Sequence, residues 1–288
     1  MVVDHVSHSF PPGYDSVRLV SASLRSHHFR PHAHAEYAIA VVERGVEAVR
    51  YRGSTEYAPT GSLLLLDAEV LHAGRPGAEE GWDYRVFYVA PSLLREITSK
   101  RAETPGPAPS FAEPVRNDPR LAQRLSRVHR LMQTPLADRL EVQEQFYDAL
   151  AELLARHTAS SPPPTDKPDE QLAMVRQVRE FLAADLHHTP SLDDLATEVS
   201  LSRFGLLRAF QRATGLTPHG FLIQLRLRKA QDLLSAGHTV ADAAAASGFS
   251  DQSHLHRHFR ATFGAPPGRF ARRRQICNDV QATPPPRS

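Results

Sequence analysis

Two segments of the chain, residues 202–215 and 251–264, repeat one another at a constant offset of 49 residues. The same offset continues on both sides of them. The identical pairs are Asp193/Asp242, Ala196/Ala245, Leu206/Leu255, Arg208/Arg257, Phe210/Phe259, Gly215/Gly264, Pro218/Pro267 and Phe221/Phe270. A repeat of this length is typical of a duplicated supersecondary unit, so the back of the chain is predicted to contain one small motif twice.

Each copy has the pattern of a helix–turn–helix. In the first copy, Ser191 is a suitable N-cap for a short helix with acidic residues in its first turn. A second helix is predicted to begin at Ser202 and to stop at Gly215, where glycine can adopt a left-handed conformation. A long helix over residues 217–236 joins the two copies.

The second helix of the second copy has one apolar stripe, formed by Leu255, Phe259 and Phe263. The side chains that point away from this stripe are Gln252, Ser253, His256, Arg257 and Arg260. In a helix-turn-helix the start of the second helix enters the major groove, where Gln pairs with adenine and Arg with guanine. The pattern therefore predicts a DNA-reading helix, the alternative being a basic, solvated helix face.

His254 and His258 are four residues apart on this helix, which is also the spacing of a zinc-binding pair. Neither has an obvious carboxylate or cysteine partner nearby, and the first copy has Gly205 and Ala209 at the matching positions. We interpret both histidines as phosphate contacts, packing residues or neutral surface residues.

Residues 171–274 resemble the DNA-binding region of AraC/XylS-type transcription regulators, most specifically through the run "GFSDQSHLHRHFR". The resemblance implies two recognition helices in successive major grooves of one face of DNA. It implies that the first groove is faced by Arg203, Phe204, Leu207 and Arg208, and the second by Gln252, Ser253, His256 and Arg257. Because Phe204 and Leu207 are apolar, the first copy is expected to contact thymine methyl groups or mainly the backbone.

The charge distribution agrees with a polyanionic partner for the back of the chain. Residues 1–170 contain 19 Lys and Arg against 23 Asp and Glu, whereas residues 171–288 contain 15 against 9. The expected phosphate contacts are Arg212, Arg226, Arg228, Lys229, Arg260, Arg272, Arg273 and Arg274. They are expected to supply much of the affinity and to make it salt-dependent.

The front of the chain is predicted to form short strands up to about residue 90. If residues 32–36 form a strand, His32, His34 and Glu36 share one face, and His72 follows after a glycine turn and a buried strand. The order of these residues resembles that of a cupin-like β-barrel, the usual effector domain of this regulator type. Together the four residues are expected to line an effector pocket, and the three histidines could hold Zn²⁺, Ni²⁺ or Fe²⁺.

A metal-dependent cupin enzyme fused to a DNA-binding domain is the competing function. We find no second acid–base pair and no nucleophile arrangement in residues 1–110, so we favour a ligand sensor without enzymatic activity. The side chains of Arg30, Tyr37, Tyr51 and Arg52 could bind a polar ligand or serve as surface and core residues. A third alternative is a barrel that only assembles the protein.

The predicted fold class is α+β, with a cupin-like barrel, a helical dimerisation segment and an all-α domain of two helix-turn-helix motifs. The predicted divisions are 1–110 for the barrel, 111–157 for dimerisation, 158–170 for a linker, 171–274 for DNA binding and 275–288 for a disordered tail. The expected partners are double-stranded DNA, a small-molecule effector, a second copy of the chain and, for an activator, RNA polymerase. One cysteine and no membrane-spanning run predict a cytoplasmic protein without a membrane partner.

Overall fold

The computed structural model describes residues 4–102, 108–134, 137–159, 169–268 and 270. Within these residues the chain forms two compact units, one up to residue 159 and one from residue 169 onward. The first unit is rich in β-sheet and the second is helical. These two units confirm the predicted fold class.

The first unit is an antiparallel sheet followed by helices. Its described strands are β1 (His5–Ser9), β2 (Val17–Leu24), β3 (Tyr37–Tyr51), β4 (Ser54–Pro59), β5 (Leu63–Leu66), β6 (His72–Pro76), β7 (Trp82–Val89) and β8 (Val115–Arg116). They are ordered β1-β2-β7-β3-β5-β8, and β4 and β6 pair with β3 outside this path. Every strand pair is antiparallel, which suits a sheet with one face open to a cavity and the other covered by helices.

The long strand β3 takes part in both halves of the sheet. Its first half pairs with β5 and β7, and its second half pairs with β4 and β6. The register shifts between Val42 and Arg44, and Gly45 follows with φ of 73°. A Cβ at Gly45 would lie 1.9 Å from the carbonyl oxygen of Gly81. Glycine is therefore required for the bend that folds the sheet over on itself.

The two faces of the sheet have different partners. Outward-facing residues such as Ile39 and Phe87 belong to one apolar core with the helices that follow the sheet, while the alternate residues Ala38 and Val86 line a cavity. The rings of Phe87 and Phe146 stack at a centroid distance of 5.7 Å in that core. The strand period of two thus separates a structural face from a cavity-lining face.

Three helices complete the first unit: α1 (Pro91–Ala102), α2 (Pro119–Leu131) and α3 (Arg139–His157). The apolar stripe of α2, which includes Leu121 and Leu125, is buried against the sheet. Because this stripe is occupied, a dimer contact through these helices would use their outer face. That face carries exposed apolar side chains at Leu140, 66% exposed, and Tyr147, 43% exposed.

The second unit consists of α4 (Asp169–Ala184), α5 (Leu192–Glu198), α6 (Arg203–Thr214), α7 (Pro218–Ser235), α8 (Val240–Ala246) and α9 (Gln252–Phe263). The predicted capping is confirmed: Ser191 forms a capping box with Asp194, and Gly215 ends α6 in a left-handed conformation. The predicted joining helix is α7, with Thr217 as its N-cap. The helices α6 and α9 have the same length, and their first residues are 49 positions apart, as the repeated segments are. The sequence repeat is therefore also a structural duplication.

Upstream of these helices the register of the repeat changes by one residue. The buried alanine of α5 is Ala196, but its counterpart in α8 is the buried Ala244, whereas Ala245 is exposed. The first copy has Leu201 directly before its N-cap, while the second copy has Ser250 between Phe249 and Asp251. The sequence identities Asp193/Asp242 and Ala196/Ala245 are therefore not structural equivalents, because the turn of the second copy is one residue longer.

The ends of the predicted linker are folded. Thr158 pairs with Phe111 in an isolated β-bridge, and α4 begins at Asp169. The rest of the linker, Arg272, Arg273 and Arg274, and the predicted tail at 275–288 lie outside the described residues. Among the helices of the described part, none has the length and apolar character needed to cross a membrane.

Candidate nucleic-acid interface and effector cavity

The recognition helix of the second copy, α9, presents a polar face. Leu255 and Phe259 are fully buried, which turns the opposite side of the helix outward. The predicted base-reading residues on that side are all exposed: Gln252, Ser253, His256 and Arg257. The Asp251 carboxylate caps the helix by accepting a hydrogen bond from the backbone N–H of His254 at 2.7 Å. The cap fixes the start of the helix, which is the part that a major groove would receive.

The recognition helix of the first copy, α6, presents a different face. Phe204 is 76% exposed, and Arg208 is exposed one turn later. Arg203 is also exposed and forms an ion pair with Asp193. Leu207 is only partly exposed and lines an apolar cavity of about 220 Å³ between helices of this unit. Of the four predicted first-groove residues, Leu207 is the one that the fold uses for packing.

Among the predicted phosphate contacts, Arg226 is a correction. Its side chain is 4% exposed, and its Nε donates to the carbonyl of Leu186 at 2.7 Å. Its Nη2 donates to Thr189 Oγ1 at 2.9 Å and to the carbonyl of His188 at 3.3 Å. The guanidinium holds the connection between α4 and α5 and is not available to DNA. The other predicted phosphate contacts that the structure describes are accessible: Arg212, Lys229 and Arg260 are exposed, and Arg228 is partly exposed.

His254 and His258 lie together over the turn of the second copy. Their ring centroids are 4.9 Å apart, and the His254 ring packs edge-on against Phe249 at 5.2 Å. His254 Nδ1 lies 3.1 Å from Ser250 Oγ. These contacts make the pair a packing element of the longer turn, in agreement with the interpretation against a zinc pair.

The cavity of the first unit lies between the inner faces of its strands. It has a volume of about 40 Å³, which is room for a few water-sized groups. Its lining residues are Phe29, His32, Ala38, Ala40, Glu47, Leu64, Leu66, His72, Gly74, Tyr84, Val86 and Tyr88. The lining therefore combines an aliphatic floor with aromatic rings and a few ionisable groups, as small-molecule sites do.

Three histidines form a cluster at this cavity. One ring nitrogen from each of His32, His34 and His72 lies within 4.8 Å of the others, and all three side chains are buried. Each Nδ1 faces a backbone carbonyl oxygen: that of Arg30 at 2.7 Å, Glu36 at 2.6 Å and Val70 at 3.0 Å, respectively. An Nδ1–H that donates to a carbonyl leaves Nε2 as the lone-pair nitrogen, which is the usual arrangement of metal-ligating histidine.

Burial favours the neutral form of the His32 and His72 imidazoles. It lowers the pKa of His32 to about 4, and it lowers the pKa of His72 well below its usual value with a further contribution from the neighbouring rings. A neutral imidazole can accept a hydrogen bond or ligate a metal at neutral pH. The cluster can therefore accept a hydrogen bond from a ligand or hold a metal.

The prediction for Glu36 is wrong in its geometry. Residues 32–36 are not a strand; β3 begins only at Tyr37, and His32 forms a single bridge with His72. The Glu36 carboxylate pairs with Arg18 at 3.2 Å and does not line the cavity. His34 belongs to the histidine cluster, although it is not among the cavity-lining residues.

Glu47 is a cavity-lining residue that the sequence analysis missed. Its side chain lines the cavity and is 5% exposed, and burial raises the pKa of its carboxyl to about 8, weakly opposed by the Trp82 indole. Alternation with Val49 and Tyr51 along β3 was a signal for an inward position. The bulge between Val42 and Arg44 obscures that signal, since it changes the phase of the strand.

Three of the other four residues considered for ligand binding have structural partners, and the fourth, Arg30, is exposed. The Tyr37 hydroxyl donates to the carbonyl of Pro109 at 2.5 Å, and the Tyr51 hydroxyl accepts from the backbone N–H of Asp67 at 3.2 Å. Arg52 pairs with the Asp67 carboxylate at 2.6 Å. These side chains hold loops of the barrel and do not line the cavity.

Comparison with known proteins finds matches to both units. Residues 16–150 match the family of AraC-like ligand binding domains, and residues 195–273 match a helix-turn-helix domain family. The HTH-type transcriptional regulator YbfI of Bacillus subtilis is 29% identical over 232 residues, covering 79% of this chain and 81% of that protein. The transcriptional activator NphR of a Rhodococcus species is 27% identical over 245 residues, covering 81% and 69%.

Among solved structures, ToxT of Vibrio cholerae shares the fold, with a TM-score of 0.53 at 14% identity, over 94% of this chain and 97% of ToxT. The likeness extends over both units of the chain. A ligand-binding barrel joined to a duplicated helix-turn-helix, with family matches to each part, identifies this chain as a member of the AraC/XylS type of DNA-binding transcription regulators.

Proposed function

We propose that this regulator reads DNA mainly through hydrogen bonds from α9 and through apolar and charged contacts from α6. The observation that carries the proposal is the pair of capped, equally long helices whose exposed faces differ in chemistry. Bidentate contacts from Arg257 to guanine and from Gln252 to adenine would discriminate bases in one groove. Phe204 would meet thymine methyl groups in the other.

The test is the affinity of the Arg257→Ala variant for its operator, after the operator has been selected from random duplexes. We expect a loss of roughly 10- to 100-fold on the operator and relaxed preference at one base pair. Arg176→Ala, an exposed arginine of α4, is the matched control for loss of one positive charge. A base-reading role of α9 is contradicted if Arg257→Ala loses no more affinity than Arg176→Ala, and loses as much on random DNA as on the operator.

We propose that the functional unit is a homodimer that contacts DNA in the cytoplasm, and that it contacts RNA polymerase if it activates transcription. The outer face of α3 supports the dimer, because Leu140 and Tyr147 are seven residues apart and lie on one side of the helix. Sedimentation of the Tyr147→Glu variant should show monomers. A dimer that tolerates this charge would assign the contact to another surface.

We propose that the barrel cavity binds a small effector and that strand β7 carries the signal to α2. The side chains of Tyr84, Val86 and Tyr88 line the cavity, while Phe87 of the same strand contacts His129 of α2 at a ring-centroid distance of 5.0 Å. His129 of α2 is fully buried, and its Nε2 lies 3.3 Å from the carbonyl oxygen of Val86. An effector that displaces β7 would therefore bias the position of α2 and the dimer face beyond it.

The effector is expected to differ from that of ToxT. One ToxT structure, at a TM-score of 0.54 and 12% identity over 93% of this chain and 94% of ToxT, contains a bound unsaturated fatty acid. The cavity described here has about 40 Å³, and its lining residues include no lysine or arginine to receive a carboxylate. A smaller effector of different charge fits it better.

We propose that the histidine cluster can hold one divalent transition metal. The support is the donor set: three buried imidazoles with Nδ1 held by carbonyls and one nitrogen each within 4.8 Å of the others. A metal bound there would act as a Lewis acid toward an effector atom. Zn²⁺, Ni²⁺ and Fe²⁺ are the candidates by ligand type.

Metal analysis of the purified protein tests this site and the enzyme alternative together. We expect about one equivalent in the native protein and a loss of it in the His72→Ala variant, with no turnover of candidate substrates that tracks the metal. Less than about a tenth of an equivalent, with no uptake of added metal, would leave the histidines as pocket-lining groups. A turnover lost with His72 would favour the metal-dependent enzyme.

A further inference from the structure

The cavity of the first unit carries one carboxyl group and no basic side chain among its lining residues. Its two lining histidines are neutral, and its other lining residues are aliphatic or aromatic or glycine. Arg18 lies behind the cavity wall, where it stacks over the Tyr88 ring at 3.8 Å and pairs with Glu36. The carboxyl group of Glu47 therefore has no protein cation at the cavity.

The Glu47 side chain is built into the cavity wall. A Cβ placed on Gly74 would lie 2.5 Å from Glu47 Oε1 and 3.4 Å from Phe29 Cδ2, so glycine at position 74 leaves the space that the carboxyl occupies. The other oxygen, Oε2, is fully buried and has no partner at hydrogen-bond geometry within the described residues, although the Trp82 indole is near enough to lower the pKa of the carboxyl. A buried polar atom without a partner is rare in folded proteins, and at a cavity a bound ligand can supply that partner.

The chemistry of the missing ligand follows from these surroundings. A buried carboxylate is stabilised by a donor that carries positive charge, because such hydrogen bonds are about twice as strong as neutral ones. The rings of Phe29, Tyr84 and Tyr88 border the same space, and aromatic faces attract cations. An anionic ligand would be repelled by the ionised form of Glu47, and a purely apolar ligand would leave Oε2 without a partner.

We propose that Glu47 is the recognition residue for a small protonated amine, which is the chemical class of the effector. The ammonium group donates to Glu47 Oε2, and the remainder of the molecule extends over the aliphatic floor toward the histidine cluster. This inference rests on the proposed effector cavity and adds the charge and size of its ligand. It does not depend on whether the histidines hold a metal.

The test is calorimetric titration of the full-length, chelator-treated protein with ethylammonium and with ethanol, which have the same number of heavy atoms. Three heavy atoms limit the dissociation constant to about 1 mM or weaker. We expect ethylammonium to bind about 10- to 100-fold more tightly than ethanol, since the charge-assisted bond is the difference between them. Equal binding of the two probes, or no binding of ethylammonium at about 50 mM, overturns the proposal.

Two variants locate the site. Glu47→Gln removes the charge at constant size and should abolish the preference for ethylammonium, while Glu80→Gln, an exposed residue of the same unit, should keep it. Gly74→Ala retains the Glu47 charge but displaces its carboxyl, and it should weaken ethylammonium binding about tenfold. Ethylammonium binding that survives both cavity variants would place the amine elsewhere and overturn the assignment.

Proton release gives a second readout that does not require a folded variant. An ammonium that pairs with the Glu47 carboxylate should displace a proton at pH 7, so the observed binding heat should depend on the ionisation enthalpy of the buffer. Binding heats that are equal in phosphate and Tris buffer would contradict the pairing.

The same samples are tested for binding to the selected operator, which separates this inference from the function of the protein. Operator binding by a protein that ignores ethylammonium leaves the regulator and removes the amine effector. Ethylammonium binding by a protein that shows no sequence-specific DNA binding would keep the amine ligand and remove the regulator function.

Discussion

The two units place their functional groups in opposite environments. In the helical unit the side chains proposed to contact DNA, among them Phe204 and Arg257, are exposed on helices whose buried faces fix their direction. In the barrel unit the histidine cluster and Glu47 are buried. The difference indicates that the helical unit should respond to salt, which screens exposed charge, and that the barrel unit should respond to pH through desolvated groups.

The largest expected effect on the helical unit alone comes from Arg226→Ala. The variant removes three hydrogen bonds from a buried guanidinium and leaves two carbonyl groups without their donor. We expect a loss of about 2–4 kcal/mol in the free energy of unfolding of this unit. Urea unfolding followed by circular dichroism should show it.

The barrel provides an internal control for that variant. Trp82 is the one tryptophan of the chain and is fully buried in the first unit, so its fluorescence reports the barrel. The fluorescence transition of Arg226→Ala should stay at its original urea concentration. A shared shift of both signals would mean that the two units do not unfold independently.

The pH dependence of the barrel is the next largest effect. Burial raises the pKa of Glu47 from 4.5 in the unfolded chain to about 8, so between these values the folded state binds more protons than the unfolded state. By linkage, the contribution of Glu47 to stability is full below pH 4.5 and is lost as the pH rises toward 8. The slope has an upper limit of about 1.4 kcal/mol per pH unit.

Urea unfolding followed by Trp82 fluorescence at pH 7.5, 8.0 and 8.5 measures this slope, because in this range histidine is largely neutral in the unfolded chain as well. Over this range the buried histidines are neutral in the folded state, and the pKa values of Tyr84 and Tyr88 are raised to the alkaline side. Stability should fall with pH in the native protein and in Glu80→Gln, and much less in Glu47→Gln. A slope that Glu47→Gln leaves unchanged would assign it to another group.

The smallest expected effect distinguishes the two recognition helices. Phe204→Ala should weaken operator binding by about 1 kcal/mol, with no change in the dependence on salt, because an apolar contact releases no counterion. Arg212→Ala, an exposed residue later in the same helix, should instead reduce the slope of log K against log salt by about 1. Equal salt slopes for both variants would mean that Arg212 does not contact phosphate.

The sequence was most informative where the determinants of structure are local. Helix caps such as Ser191 and Gly215, and the stripe of α9, act within a few residues, so the duplicated motif could be derived from spacing alone. Long-range contacts produced the errors. Arg226 has the composition of a phosphate contact, but its carbonyl partners lie about 40 residues earlier in the chain.

The barrel shows the same division. The histidine cluster was predicted from the order of His32, His34 and His72, and this order does not depend on whether the backbone between them is regular. The face assigned to Glu36 required a regular strand that the chain does not form there. Glu47 lies beyond a bulge, and the one-residue change in the turn before α9 is likewise a backbone irregularity. Neither irregularity has a residue pattern that identifies it in a single sequence.

The most direct measurement is selection of bound sequences from a random duplex pool by the full-length protein at low and physiological salt. Two recognition helices that read successive major grooves predict a motif of two blocks about 10 bp apart, with bound complexes weaker at higher salt but the motif unchanged. Binding without any enriched motif, and lost as salt is added, would contradict sequence reading by α6 and α9.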